Sequence, residues 1–245
     1  ERRGDLSPEE QHNALAEMSV HLKTALSLDE RLTPGLRALG YVERAQGHFE
    51  EARDAFERYL ELSDPKDPQR DRVQTMLTEV AERAALETAL AAAVGVAERV
   101  HDSDAAARTE AEAQLLTVLE KEPQRAEGWW ALGVLRRAAK DPRARDHLEQ
   151  ALKADPYCVV AHKELASLHF HGGQPDLALP HARAAYETDP TNAALVCNVG
   201  VCHLATGDLK EAREFLLIAK GLAPRDPIVL DAFKALDDAT KAPRR

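Results

Sequence analysis

Val159 to Pro224 reads VVAHKELASLHFHGGQPDLALPHARAAYETDPTN, then AALVCNVGVCHLATGDLKEAREFLLIAKGLAP. Laid one over the other, the two lines keep step without a gap. Leu165 falls over Val199, Ala166 over Gly200, His169 over His203 and Gly173 over Gly207, each pair 34 residues apart. Ala178 over Ala212, Ala182 over Leu216, Ala185 over Ala219 and Pro190 over Pro224 keep the same offset. Small and apolar residues recurring at this period mark a two-helix unit that stacks on copies of itself to bury its apolar face. Val196, Val199, Gly200 and His203 form one helical stripe. Gly200 costs about 1 kcal/mol of helix propensity, so it is expected where two helices approach closely. Gly207 is expected to cap that helix. Ala212, Leu216 and Ala219 then line a second helix, and Pro224 ends it.

The preceding unit tightens the pattern. Trp129, Leu132 and Gly133 fit W-x2-L-G, followed by Ala144, Leu148, Ala151 and Pro156. This unit starts near Ala126 and has lost one residue at the turn Lys140-Asp141-Pro142. A further match is Leu36, Leu39, Gly40, Gly47, Ala52 and Phe56, ended by Pro65. These residues resemble the tetratricopeptide repeat (TPR) family, whose pattern is W-x2-L-G-x2-Y, then A-x3-F, then P. The resemblance covers 126–224 and 33–65. Arg136, His169 and His203 depart from it, standing where the family has Tyr. It implies an all-α, right-handed solenoid of helix-turn-helix repeats with a C-terminal capping helix.

Composition agrees with close-packed helices. Of 245 residues, 44% are hydrophobic and only 4% aromatic, so Ala and Leu must make the core. Asp+Glu of 42 against Lys+Arg of 32 leaves a net charge of −10, which argues against nonspecific nucleic-acid binding. The three cysteines Cys158, Cys197 and Cys202 have no framework spacing, which points to free thiols and a cytoplasmic setting. No apolar run is long enough to span a membrane. Glu1 carries neither an initiator Met nor a signal peptide, so the chain is read as a fragment or a processed chain. A lipid anchor on the periplasmic face is the alternative, should a lipobox precede it.

Taken in order, residues 1–68 read as a degenerate repeat followed by a TPR-like one. Ser7-Pro8-Glu9-Glu10 is a capping-box helix start, and the helix should run to about Leu28. Thr33-Pro34 opens the next helix by the same device, and Phe49 to Leu62 is its partner. Asp67-Pro68 is another cap. Residues 69–125 read as a long or bent helical connector with a degenerate repeat. The 69–100 stretch allows one helix or two; two helices broken near Leu86 to Thr88, or a bent one, are favoured, because one long helix would leave Leu86, Leu90 and Val94 partly unburied. A loop over 101–104 leads to Ala105 to Lys121. Three regular repeats fill 126–224, and 225–245 reads as a capping helix with a basic tail. Ile228, Leu230, Ala232, Phe233 and Leu236 carry the apolar residues of that helix.

No nucleophile motif, phosphate loop or metal-ligand spacing is present, so neither catalysis nor a cofactor is expected. His169 and His203, one repeat apart, read as polar-tipped core residues that replace tyrosines. The TPR resemblance implies that fixed places on the first helices face a concave groove. Here these are Trp130, Val134 and Arg137, then Lys163, Ser167 and Phe170, then Cys197, Val201 and Leu204, with His171 and Asn198 beside them. Arg37, Tyr41 and Arg44 are their N-terminal counterparts. Apolar anchors at Trp130, Val134, Phe170 and Val201, with Arg137 and Lys163 setting polarity, suit a protein partner whose apolar segment carries acidic residues, extended or helical. The carboxylate clamp of chaperone-binding family members does not fit. Counted from Lys163, only the first place matches; Ser167 and Val201 replace its two Asn, and Asp231 and Ala235 its last two cations.

The function this implies is a noncatalytic scaffold. An Ala/Arg-rich, Lys-poor composition looks bacterial, where such arrays serve assembly, motility or signalling. The alternatives are the regulatory array of a larger signalling enzyme, a lipoprotein that aids pilus or secretin assembly, and self-association. The oligomeric state is open, with a monomer preferred.

Overall fold

A computed structural model describes residues 7–101 and 103–241. The residues at Glu1, Asp102 in the 101–104 loop, and the basic tail beyond Lys241 lie outside the described residues. Twelve helices and no strand are present among the described residues: α1 (Pro8–Leu28), α2 (Thr33–Gln46), α3 (Phe49–Leu62), α4 (Arg70–Glu98), α5 (Ala105–Lys121), α6 (Ala126–Ala138), α7 (Ala144–Ala154), α8 (Val159–His171), α9 (Pro175–Thr188), α10 (Ala193–Thr206), α11 (Leu209–Leu222) and α12 (Pro227–Lys241). They fall into two compact units, 1–88 and 89–245.

In the first unit the capping box forms as the sequence requires. The Ser7 hydroxyl accepts from the Glu10 N–H, and the Ser7 N–H donates to the Glu10 carboxylate. Thr33 does not repeat the device. It lies inside α2, and Leu32 precedes the helix without a side-chain cap. The core joins Leu26 of α1, Leu36 and Leu39 of α2, Ala52, Phe56 and Tyr59 of α3, and Val73 and Val80 of α4. Gly40 fits against the Phe56 ring so closely that a Cβ would lie 2.4 Å from it. Asp67 meets the Gln69 N–H at 2.8 Å, in the turn before α4.

The expected break at Leu86 to Thr88 does not occur: α4 runs unbroken through it. Thr88 caps nothing; its hydroxyl donates to Glu50 of α3 at 3.3 Å. Leu90 is buried, as are Ala93 and Ala97, while Leu86 and Val94 stay half-buried, a partial exposure the single helix tolerates. The burial that decides the matter is tertiary and outweighs the local signal.

In the second unit Asp104 caps α5, accepting from the Ala107 N–H at 2.7 Å. Helix pairs α6/α7, α8/α9 and α10/α11 follow, and each packs on its neighbour. Small residues meet large ones across the outer two pairs: Gly133 faces Leu148, and Gly200 faces Leu216. In the middle pair Ala166 and Ala182 share one cluster with Val199 and Cys202. Val229, Ala232 and Leu236 of α12 cover the end of α10/α11. Its buried stripe differs from the expected one, because Ile228 is 71% exposed and Leu230 is also exposed.

One polar arrangement recurs in both units. Glu43, Arg136, His169 and His203 stand at the family's Tyr place, and each pairs with the residue five places on, across the interhelix turn. Glu43 meets His48 at 2.7 Å, Arg136 meets Asp141 at 2.9 Å, His169 meets Gln174 at 3.1 Å and His203 meets Asp208 at 3.4 Å. Three of the four also reach back to the preceding helix. Glu43 takes Ser19 at 2.6 Å and Lys23 at 2.7 Å, Arg136 takes Glu112 at 3.0 Å, and His203 takes Arg183 at 2.9 Å.

Candidate functional site

The first helices α6, α8 and α10 and the last helix α12 of the second unit open onto one cleft of about 320 Å³. Residues at i, i+4 and i+7 share a helix face, and this places Lys163, Ser167 and Phe170 of α8 side by side on its wall. His171 and Glu164 join them from the same helix. Cys197, Asn198 and Val201 come from α10, Arg137 from the last turn of α6, and Ile228 from α12.

Of the expected groove residues, Arg137, Lys163, Ser167, Phe170, His171, Asn198 and Val201 are therefore brought together, with Cys197. Trp130 and Val134 are not. They are 8% and 5% exposed and lie outside the cleft, so neither is an open apolar anchor. Leu204 packs into the core around Leu216 and Val229. The partly buried Trp129 turns aside, donating from Nε1 to the Pro123 carbonyl at 2.7 Å and stacking on His147.

The N-terminal trio is used inside the first unit. Arg37 lies beside the Tyr59 hydroxyl, which donates to Asp67 at 2.7 Å. Tyr41 packs edge-on to Phe56, with the Arg72 guanidinium over its ring. Arg44 lies 3.6 Å from Glu79. Arg72 and Glu79 both belong to α4, which covers this face.

Ala166 and Cys202 also line the cleft without having been expected there, and sequence reasoning missed two more consequential residues. Ile228 was assigned to the cover of the solenoid end. Glu164 was not singled out at all, although it is buried at the foot of the cleft, 7% exposed. Its Oε2 lies 2.7 Å from Arg137 Nε and its Oε1 lies 3.8 Å from Lys163 Nζ. The Arg137 N–H is not aimed at the oxygen, so neither Nε nor Oε2 has a hydrogen-bond partner. The pair is held by proximity of charge and leaves the Arg137 Nε–H without an acceptor. The only sequence signal was a Lys-Glu pair, which reads equally well as solvated surface.

The cleft thiols are inert. Burial pushes Cys197 up to about 11, with Asp226 adding to it, and burial does the same for Cys202. Such thiols stay protonated and are poor nucleophiles or ligands.

The histidines are tied into separate contacts. Arginine can only donate, so His203 Nε2 accepts from Arg183, and its Nδ1–H points to Asp208. His162 Nε2 lies 3.1 Å from the Pro156 carbonyl and so donates to it; its Nδ1 then accepts from His181 Nδ1–H at 3.0 Å. His169 stacks parallel on His181 with centroids 5.8 Å apart. Burial, then His162 and His169, pushes His181 down to about 4. Among the described residues, no group of three or more His, Cys, Asp or Glu is placed to hold a metal ion. No described helix is long and apolar enough to cross a membrane.

Tetratricopeptide-repeat sequence profiles match residues 142–193 and 170–236. Comparison with curated protein sequences finds no match. Among solved structures the chain is similar to MamA of AMB-1, with a TM-score of 0.51 at 20% identity over 64% of this chain and 99% of that one. It is also similar to YrrB, described as a TPR protein with an unusual peptide-binding site (TM-score 0.47, 18% identity, 87% of this chain and 97% of that one). The first TPR of Spaghetti (RPAP3), solved with the HSP90 peptide SRMEEVD, aligns at a TM-score of 0.45 and 20% identity over 49% of this chain and 95% of that one. At 20% identity the likeness to MamA is one of fold. With the W-x2-L-G pattern, the period, the glycine-on-leucine helix contacts and the matching profiles in agreement, residues 142–236 are tetratricopeptide repeats, set in an all-α chain of repeated helix pairs.

Proposed function

We propose that this chain is a noncatalytic scaffold that holds a segment of a partner protein in the cleft of its second unit. One observation carries the reading: four helices converge on one cleft that is apolar along Phe170, Val201 and Ile228 and cationic at Arg137 and Lys163. An exposed Ile228 is costly in water and is useful against an apolar partner side chain. Arg137 and Lys163 suit an acidic side chain beside it. The segment is extended or helical, and the setting expected from composition is a bacterial assembly, motility or signalling system. Three free, buried cysteines suit a reducing compartment, hence the cytoplasm.

The test is selection of random 12-residue peptides displayed on phage. Enriched peptides should bind the wild type and lose most of their binding to Phe170→Ser/Ile228→Glu, while Leu177→Glu, an exposed site outside the cleft, leaves binding unchanged. Equal binding to all three proteins would remove the cleft from consideration.

A further inference from the structure

We infer that the cleft counts charge: it takes a segment with one acidic side chain next to one apolar side chain, and rejects segments with more acidic residues. This rests on the reading above, that a partner segment occupies the cleft.

The count comes from Glu164. Two cations, Arg137 and Lys163, line the cleft, and the sequence alone would match them with two partner carboxylates. The protein already supplies one of its own. Glu164 is buried and touches both cations, at 2.7 Å and 3.8 Å. One positive charge is therefore left over. The Arg137 side chain is 30% exposed and the Lys163 side chain 48% exposed, so each can present a donor to an incoming oxygen. One partner carboxylate balances the site. A second would sit in a partly desolvated cleft beside Glu164 with no cation left to offset the repulsion. None at all would bury a cation without a partner. Phe170, Val201 and Ile228 form the apolar side of the same cleft and fix the position of the apolar residue next to the acidic one.

The test uses the same random peptide library at pH 8 on three baits: wild type, Glu164→Gln and Lys163→Gln, each shown by circular dichroism to be folded. Lys163 is exposed, so its variant keeps the test alive should Glu164→Gln unfold. Peptides enriched on the wild type should carry one Asp or Glu. Those from Glu164→Gln should carry two, and those from Lys163→Gln none. Lys163→Gln should weaken the best one-acid peptide about fivefold, the effect of one partly exposed charge pair. If the three pools carry the same number of acidic residues, or the wild-type pool is basic, the counting is wrong while the cleft still binds peptide. If the wild type enriches no peptide, the partner-segment reading itself fails. If the wild type sediments as a dimer that Ile228→Glu dissociates, a second copy fills the cleft and both readings are overturned.

Discussion

Glu43, Arg136, His169 and His203 do the same job with different chemistry. Each holds the interhelix turn from the place where the family has a tyrosine, and each partner sits five residues on. The recurrence of polar residues at that spacing was in the sequence, but the residue types differ so much that no motif linked them. For Glu43 burial opposes ionisation, and hydrogen bonds from Lys23, Ser19 and His48 outweigh it, holding the carboxyl below its usual range. His181 shows the opposite case among basic groups. Its folded-state value of about 4 lies below the ordinary histidine value, so the unfolded chain takes up the proton first as pH falls. The stability that neutral His181 contributes is full above about pH 6.5 and is lost between there and pH 4. Thermal melts across that window should show the wild type losing on the order of 1 kcal/mol more than His181→Phe, allowing for solvent screening. Parallel curves would place the titration elsewhere.

Lys140 makes a second argument at this scale. Its φ of 58° is left-handed, in the turn where Gly47 and Gly207 carry φ of 81° and 89°. A side chain there costs about 1 kcal/mol or more, and glycine removes the strain at a smaller cost in unfolded-chain entropy. Lys140→Gly should raise the urea midpoint by the equivalent of about 0.5 kcal/mol with an unchanged slope. The lost residue in this turn was legible in the sequence; the left-handed lysine was not, because lysine carries no turn signal.

At the scale of the helix, pairs are matched by size. Gly40 against Phe56, Gly133 against Leu148 and Gly200 against Leu216 all set a missing side chain against a bulky one. A Cβ on Gly40 would meet the Phe56 ring at 2.4 Å, and that ring is fully buried. Gly40→Ala gains helix propensity but overpacks the pair, and the net effect should be a loss of about 1–2 kcal/mol by chemical denaturation. In a Phe56→Leu background, where space is available, the same change should cost less. An equal cost in both backgrounds would mean that the ring does not set the limit. Helix α4 shows where local reading stops. Its run of good helix formers allowed one helix or two, the local reading favoured a break or a bend, and one unbroken helix forms with Leu90, Ala93 and Ala97 under cover.

At the scale of the molecule, two compact units each hold their own core. A repeat array is stabilised by nearest-neighbour interfaces, so the second unit needs only its own helix pairs to fold. A fragment from Ala89 onward should show a cooperative helical melt and retain peptide binding. A non-cooperative melt would show that its core is incomplete without residues before Ala89. The net charge of −10 belongs to the whole surface and does not describe the cleft, which keeps an excess positive charge of its own.

The 34-residue offset, Gly207 as a left-handed cap, the capping box at Ser7 and the buried stripe of α11 were all decided by the sequence. Each depends on residues within one or two helical turns, or on a spacing that repeats. What a side chain meets across two stacked helices depends on how the helices are placed, and no local pattern records that. Stacking buried Trp130 and Val134, turned Ile228 outward into the cleft, laid α4 over Tyr41 and Arg44, and set Glu164 against Arg137. Those four outcomes shape the candidate site, and only the tertiary structure decided them.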